Sequence, residues 1–268
     1  MRIALGIEYD GSAYNGWQRQ HGARTVQAEI EAALSQVANQ AITVHCAGRT
    51  DSGVHALYQV VHFDTVAERG ARSWVLGANS NLPPDVAVLW ARRVPASFHA
   101  RFSATSRLYH YLILNRQARP GQWHGKVTWE CRPLDWAVMA SAARYWLGEH
   151  DFSSFRAQGC QARHPVRTVL QCEVVERDGL IVLSVEANAF LQHMVRNLAG
   201  VLLDIGMGRH PPEWARDVLE YRARERGGVT APPHGLYLSA VRYPAEFALP
   251  APSPTVPVLA AYGGQAWA

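Results

Sequence analysis

The chain has 268 residues, 48% hydrophobic and 18% charged, with 26 lysines and arginines against 22 acids for a net charge of +4. This composition excludes a disordered chain, and no apolar run reaches the ~18 residues of a membrane span. The mild positive charge suits a polyanionic partner without requiring one. Lys126 is the only lysine; guanidinium forks suit phosphates and bases, although a GC-rich genome explains the imbalance equally well.

Residues 2–10 alternate, with Ile3, Leu5, Ile7 and Tyr9 on one side, which predicts a strand with one buried face. Glu8 and Asp10 stand where a signal peptide needs an apolar core, so a cytoplasmic protein is expected. Thr25 is placed to cap a helix whose Val26, Ile30, Leu34 and Val37 follow helical spacing. Residues 42–46 and 57–63 read as strands. A helix over 73–78 ends at Asn81-Leu82-Pro83-Pro84, and residues 86–94 form a strand. The order is β-α-β-β-α-β, the ferredoxin-like unit.

The second half repeats that order with one extra helix. Residues 107–114 are rich in Tyr and Ile and read as a strand. Asp135 opens a helix running to about residue 147. Residues 169–175 and 180–187 form a hairpin around Asp178-Gly179. Phe190, Met194, Leu198, Val201 and Ile205 share one helix face, ended by Gly206 and Gly208. A helix over 213–222 and a strand over 236–242 follow. The expectation is an α+β fold of two related ferredoxin-like (RRM-like) halves, 1–105 and 106–245. They form a central antiparallel sheet with a cleft between them and helices packed on the sheet. Residues 246–268, rich in proline and alanine, are expected to be mobile.

Cys46, Cys131, Cys160 and Cys172 form no C-x-x-C pair, and no H-x-x-x-H or H-E-x-x-H spacing occurs. No metal site is expected, and the thiols are expected to be reduced.

The segment Gly48-Arg49-Thr50-Asp51-Ser52-Gly53-Val54-His55-Ala56 sets a cation and a carboxylate two residues apart, then a glycine, between two predicted strands. A neighbouring cation favours the charged carboxylate, which suits a nucleophile or a base. By itself the segment also reads as an ordinary turn. It closely resembles, however, the catalytic loop of the tRNA pseudouridine synthase A family. Three more segments resemble that family in order. They are Tyr9-Asp10-Gly11 with Tyr14, Gly16-Trp17-Gln18 and Gln20; Phe190-Leu191-Gln192-His193-Met194-Val195-Arg196-Asn197; and Gly235-Leu236-Tyr237-Leu238. The resemblance spans about residues 1–250; Ser52 departs from it, since alanine is common there.

The resemblance implies a homodimeric, cofactor-free isomerase that turns uridine into pseudouridine in the anticodon stem-loop of tRNA, at about positions 38, 39 and 40. Such a uridine must leave its stack to react. Asp51 corresponds to the essential carboxylate, which attacks C1′, adds to C6 or removes the 2′ proton. Arg49 orients Asp51, holds a phosphate or fills the gap left by the flipped base. Tyr109 corresponds to a tyrosine stacked on the target base, with Tyr111 as a core residue on the same strand face. Arg196 corresponds to the partner of the catalytic aspartate, and Leu236 to an apolar residue packed against the base. Tyr14, Trp17 and Gln18 either contact RNA or brace the catalytic loop. Arg19, Arg24, Arg92, Arg93, Arg101 and Arg107 are candidate phosphate contacts. Two other classes compete: a non-catalytic tRNA-binding or tRNA-folding protein, and a glycosidase-like hydrolase, which would need a second carboxylate.

Overall fold

A computed structural model of the chain describes residues 1–252. Residues 253–268, the greater part of the predicted mobile tail, lie outside them. The fold is mixed α+β. It divides into two compact units, one of residues 1–105 with the described chain from Tyr237 to residue 252, the other Ser106–Leu236. The strand over 236–242, expected in the second half, thus falls almost wholly in the first unit.

In the first unit, β1 (Arg2–Tyr9) lies between β3 (His55–Asp64) and β4 (Val86–Val94), antiparallel to both. The two-residue β2 (His45–Cys46) pairs with the distal half of β3, and β10 (Leu236–Arg242) runs parallel to its start, Tyr237 opposite His55. Helices α1 (Val26–Ala38) and α2 (Ala71–Asn81) cover one face. Trp74 of α2 meets Phe63 of β3 edge-on at 5.1 Å, and both are fully buried. Truncating a buried ring of this kind typically costs about 3–5 kcal/mol.

Two sequence expectations fail here for one reason. The strand predicted over 42–46 shrinks to His45–Cys46 because its backbone bonds to α1 side chains instead of a strand. Val44 N donates to Glu31 Oε1 at 3.0 Å and Ile42 N to Ser35 Oγ at 2.9 Å. Thr25 precedes α1, but its buried hydroxyl makes no bond. The helix start is capped by carbonyls, with Val26 N donating to Gly16 O and Gln27 N to Trp17 O.

The second unit's sheet has the order β5 (Ser106–Asn115), β9 (Leu180–Ala187), β8 (Val166–Arg177), β7 (Gly148–Asp151), all antiparallel. The short β6 (Thr128–Glu130) runs parallel to the end of β5. All eight residues of β9 are buried, as expected of a strand covered on both faces. Asp178 and Gly179 turn the β8–β9 hairpin with φ of 53° and 80°. Asp135 caps α3 (Trp136–Ala143) by accepting from Val138 N at 3.1 Å; the predicted continuation to 147 becomes a 3-10 turn, Arg144–Trp146. The predicted helix from 190 begins later, as α4 (Met194–Gly206), after His193 turns the chain at φ 62°. Gly208 ends it at φ 72°. Helix α5 (Trp214–Tyr221) packs near Trp146, whose Nε1 donates to Ala215 O at 3.0 Å. Strands β6 and β7 escape sequence reading because three or four residues carry no period. No helix among the described residues is long and apolar enough to cross a membrane.

The segment 224–231 crosses α4 at Gly200, where a Cβ would lie 1.8 Å from Val229 O. Alanine gains up to about 1 kcal/mol over glycine inside a helix, whereas overpacking costs about 1–3 kcal/mol. This clash is with backbone, so the second effect wins. We expect Gly200→Ala to lower stability by about 1–3 kcal/mol in urea unfolding.

His62 and His110 are buried, and desolvation lowers both pKa values to about 4; His99, Arg2 and His45 add to the effect at His62. An unfolded chain protonates them near 6.5. Between pH 6.5 and 4 the unfolded state therefore binds more protons, so stability falls as pH drops and levels off below 4. Urea midpoints at pH 7 and pH 4.5 should differ by about 2–4 kcal/mol in stability, the lower pH being the less stable.

Candidate active site

The Asp51 loop is held from beneath by the segment that follows β1. Thr50 is buried, and its carbonyl accepts from Trp17 N at 3.0 Å. Its hydroxyl shares a 2.7 Å hydrogen bond with Tyr9 Oη. Tyr14 O accepts from Gly53 N at 3.3 Å and from Ser52 Oγ at 3.1 Å. Val54 N closes the turn on Asp51 O at 3.1 Å, and Gly53 takes φ 77°. At the near end, Gln59 is fully buried in β3; its Nε2 donates to Gly48 O at 2.6 Å. The far end leads into His55, stacked on Tyr237 at 4.6 Å. Asp51 is half-buried at the crest of this loop, and Arg49 and Ser52 are exposed.

Tyr14 and Trp17 lie under the loop with 2% and 1% of their surface exposed. Tyr14 Oη donates to Asp85 Oδ1 at 2.6 Å, and Arg24 lies 4.3 Å from its ring centroid. Burial and the Asp85 carboxylate raise the Tyr14 phenol well above its ordinary range. Trp17 packs on Tyr9 at 6.0 Å. Both side chains are withdrawn from solvent, and it is the backbone of Tyr14 and Trp17 that bonds to the loop; Gln18 is half-buried. Sequence reading passed over Gln59, Thr50 and Tyr9 as loop supports. The available signal was Gln59, a polar residue in the middle of an otherwise apolar strand.

The other candidates belong to the second unit. Tyr109 lies on β5, 7% exposed, and meets Phe190 edge-on at 5.0 Å. Tyr111 is fully buried. Its hydroxyl donates to Pro232 O at 2.8 Å and lies 2.6 Å from Thr128 Oγ1. Arg196, in the first turn of α4, is half-buried. Its Nε donates to Ala231 O at 2.8 Å, while its own carbonyl accepts from Ala231 N at 3.1 Å. Leu236 is buried at the start of β10. The structure therefore fixes Tyr109 and Arg196 in place by ring packing and backbone bonds within their own unit.

The arginines divide sharply. Arg19 is paired with Glu31 at 2.5 Å and Arg24 with Asp85 and Glu29, each at 3.2 Å. Arg107 is buried with Nη1 on Asn188 O at 2.9 Å, and Arg92 donates to Ala248 O. Arg49, Arg93 and Arg101 are exposed, as are Arg19, Arg24 and Arg92 despite their bonds.

A family model described as tRNA pseudouridine synthase matches residues 6–103 and 142–244. The tRNA pseudouridine synthase A of Nitrosococcus oceani is 59% identical over 250 residues, covering 93% of this chain and 96% of its own. That of Pseudomonas aeruginosa is 57% identical over 250 residues, 93% and 88% of the two chains. That of Coxiella burnetii is 55% identical over 249 residues, 93% and 95%. A solved Cbf5-Nop10-Gar1 complex is distantly similar, with 12% identity and a TM-score of 0.34 over 75% of this chain and 45% of its own.

Gly16 shows how tightly the loop is seated: at φ 84°, a Cβ would lie 2.7 Å from Thr50 O and 3.0 Å from Asp51 C. Gly22 has similar φ, 72°, with nothing within 4 Å. Both alanine variants carry left-handed strain of about 1–2 kcal/mol, but only Gly16→Ala displaces the loop. Hydrogen exchange at Trp17, Gly53 and Val54 should quicken at least about tenfold in Gly16→Ala and stay near native in Gly22→Ala.

Proposed function

The chain belongs to the tRNA pseudouridine synthase family and isomerises uridine to pseudouridine in tRNA; from that premise we propose that Asp51 is its essential carboxylate. The supporting observation is the loop itself. It is bonded along its length to Tyr9, Tyr14, Trp17 and Gln59, so a half-buried carboxylate is held at a fixed place instead of on a mobile turn. Pre-set position is a large share of what an enzyme supplies to an intramolecular rearrangement.

The reaction breaks the C1′–N1 glycosidic bond, turns the base and makes a C1′–C5 bond. A proton leaves C5 and one is gained at N1, with no net redox change. Asp51 enters by attack at C1′, addition at C6 or removal of the 2′ proton. Arg49 orients Asp51, holds a phosphate or takes the place of the flipped base. Arg196 is assigned as the cationic partner of Asp51. Tyr109 stacks on the uracil, and Leu236 packs against it. Tyr14 and Trp17 act through the loop they brace, with Gln18 beside them.

The substrate site is assigned to the anticodon stem-loop, about positions 38, 39 and 40, read by shape and backbone. A homodimer working in the cytoplasm without a cofactor completes the assignment. Each half is assigned to the ferredoxin-like pattern. The order β4-β1-β3-β2 in the first unit supports this, as does the β5-α3-β8-β9-α4 succession in the second.

Tritium release from unmodified tRNA carrying 5-tritiated uridine tests the role of Asp51, because bond formation at C5 expels that tritium. Asp51→Ala is expected to lower release at least about 1,000-fold while tRNA still binds. Release at the native rate by Asp51→Ala would refute the assignment.

A further inference from the structure

The turn that follows β4 exposes a phenyl ring that the assignments above leave unused. Phe102 is 75% exposed, yet the backbone that carries it is fixed on every side. Phe98 N donates to Pro95 O at 3.0 Å and Ser103 N to His99 O at 2.9 Å. Nδ1 of His99 accepts from both Arg101 N and Phe102 N, at 3.1 and 3.3 Å. Arg2 Nη1 donates to Ala96 O and Phe98 O at 2.6 and 2.8 Å. His62 Nδ1 accepts from Ala100 N at 3.1 Å, and Tyr243 Oη donates to Ala100 O at 2.6 Å.

Beneath the ring lies a pile of imidazoles. Phe102 sits 4.3 Å from His99 between centroids, and His99 lies 4.6 Å from His62 and 5.6 Å from His45. Burial keeps His62, at the foot of the pile, neutral at neutral pH. An apolar ring held rigidly in water is pre-organised to stack: little side-chain freedom remains to be lost on binding.

Charge indicates what it stacks on. The Arg101 guanidinium lies 5.6 Å from the Phe102 ring centroid. Arg101 and Arg49 both act electrostatically on the Cys46 thiol, whose pKa burial pushes up to about 12 and they draw down. The phenyl ring and the Asp51 loop thus share one cationic neighbourhood within the first unit. An exposed π-face beside a guanidinium group fits a nucleobase and its phosphate.

We propose that Phe102 is a stacking platform for one unpaired nucleobase of the tRNA other than the reacting uridine, with Arg101 on the adjoining phosphate. This rests on tRNA being the substrate and is independent of the role given to Asp51.

The test measures KM by tritium release with an unmodified tRNA transcript, and Kd by filter binding in an Asp51→Ala background. Phe102→Ala is expected to raise both about tenfold. Phe102→Trp keeps a π-face and should stay within about twofold of native, whereas Phe102→Leu, apolar without one, should resemble the alanine variant. Arg101→Ala should reduce the slope of log Kd against log salt by about one. Unchanged KM and Kd in Phe102→Ala, or native behaviour in Phe102→Leu, would overturn the proposal. So would a changed sedimentation coefficient in Phe102→Ala, which would place the ring between copies of the chain. Full turnover by Asp51→Ala would instead sink the catalytic assignment and leave the binding readout of Phe102 intact.

Discussion

The first unit is organised around one small junction, the seat of Thr50 on residues 9–17. The Thr50 carbonyl receives the Trp17 amide and its hydroxyl meets the Tyr9 phenol, all within a buried contact that a single methyl group on Gly16 would spoil. The same short segment starts α1, because Gly16 and Trp17 offer their carbonyls to its first amides. Strand end, helix start and the Asp51 loop therefore converge on a few backbone groups. A neutral hydrogen bond contributes only about 1 kcal/mol net. An unmade buried one costs more, and each of these groups has lost its access to water. The junction is stable because no member can leave without stranding another.

The second unit follows the same rule with different residues. Its tie is the segment 224–231 laid across α4. Arg224 donates to Asn197 Oδ1 at 3.0 Å and to Thr230 Oγ1 at 2.8 Å, and Asn197 Nδ2 donates to Phe155 O at 2.8 Å. Ala231 N donates to Arg196 O, and Arg196 Nε donates back to Ala231 O. The bond from Nε to Ala231 O orients the Arg196 guanidinium within its own unit.

Both cases show how the protein divides its arginines. Those with an internal acid or carbonyl, such as Arg2, Arg19, Arg24, Arg107 and Arg224, serve the fold. Arg2 forms a two-pronged bond to Asp64 and lowers that carboxyl below its usual range, while its remaining nitrogen supports the turn at 96–98. The surface cations are a smaller set than the sequence offers, and a base count alone overstates the charge available to a polyanion.

Sequence alone determined the family, through four ordered motifs, and the type and approximate place of the long elements, though not the ends of α3 and α4. Apolar alternation in the sequence of β1, helical spacing in α1 and the Asp-Gly turn before β9 are local signals, written in neighbouring residues, although the one buried face expected of β1 becomes two, since Ala4 and Gly6 are buried as well. Only the tertiary structure decided that residues 42–44 bond to α1, that carbonyls rather than Thr25 cap that helix, and that Tyr14 and Trp17 lie beneath the loop. It also decided which arginines are committed internally. In each of these cases the partner lies distant in the chain or is a backbone atom. A residue's type does not record which distant group will meet it, and a carbonyl has the same chemistry at every position, so no pattern in one sequence marks it.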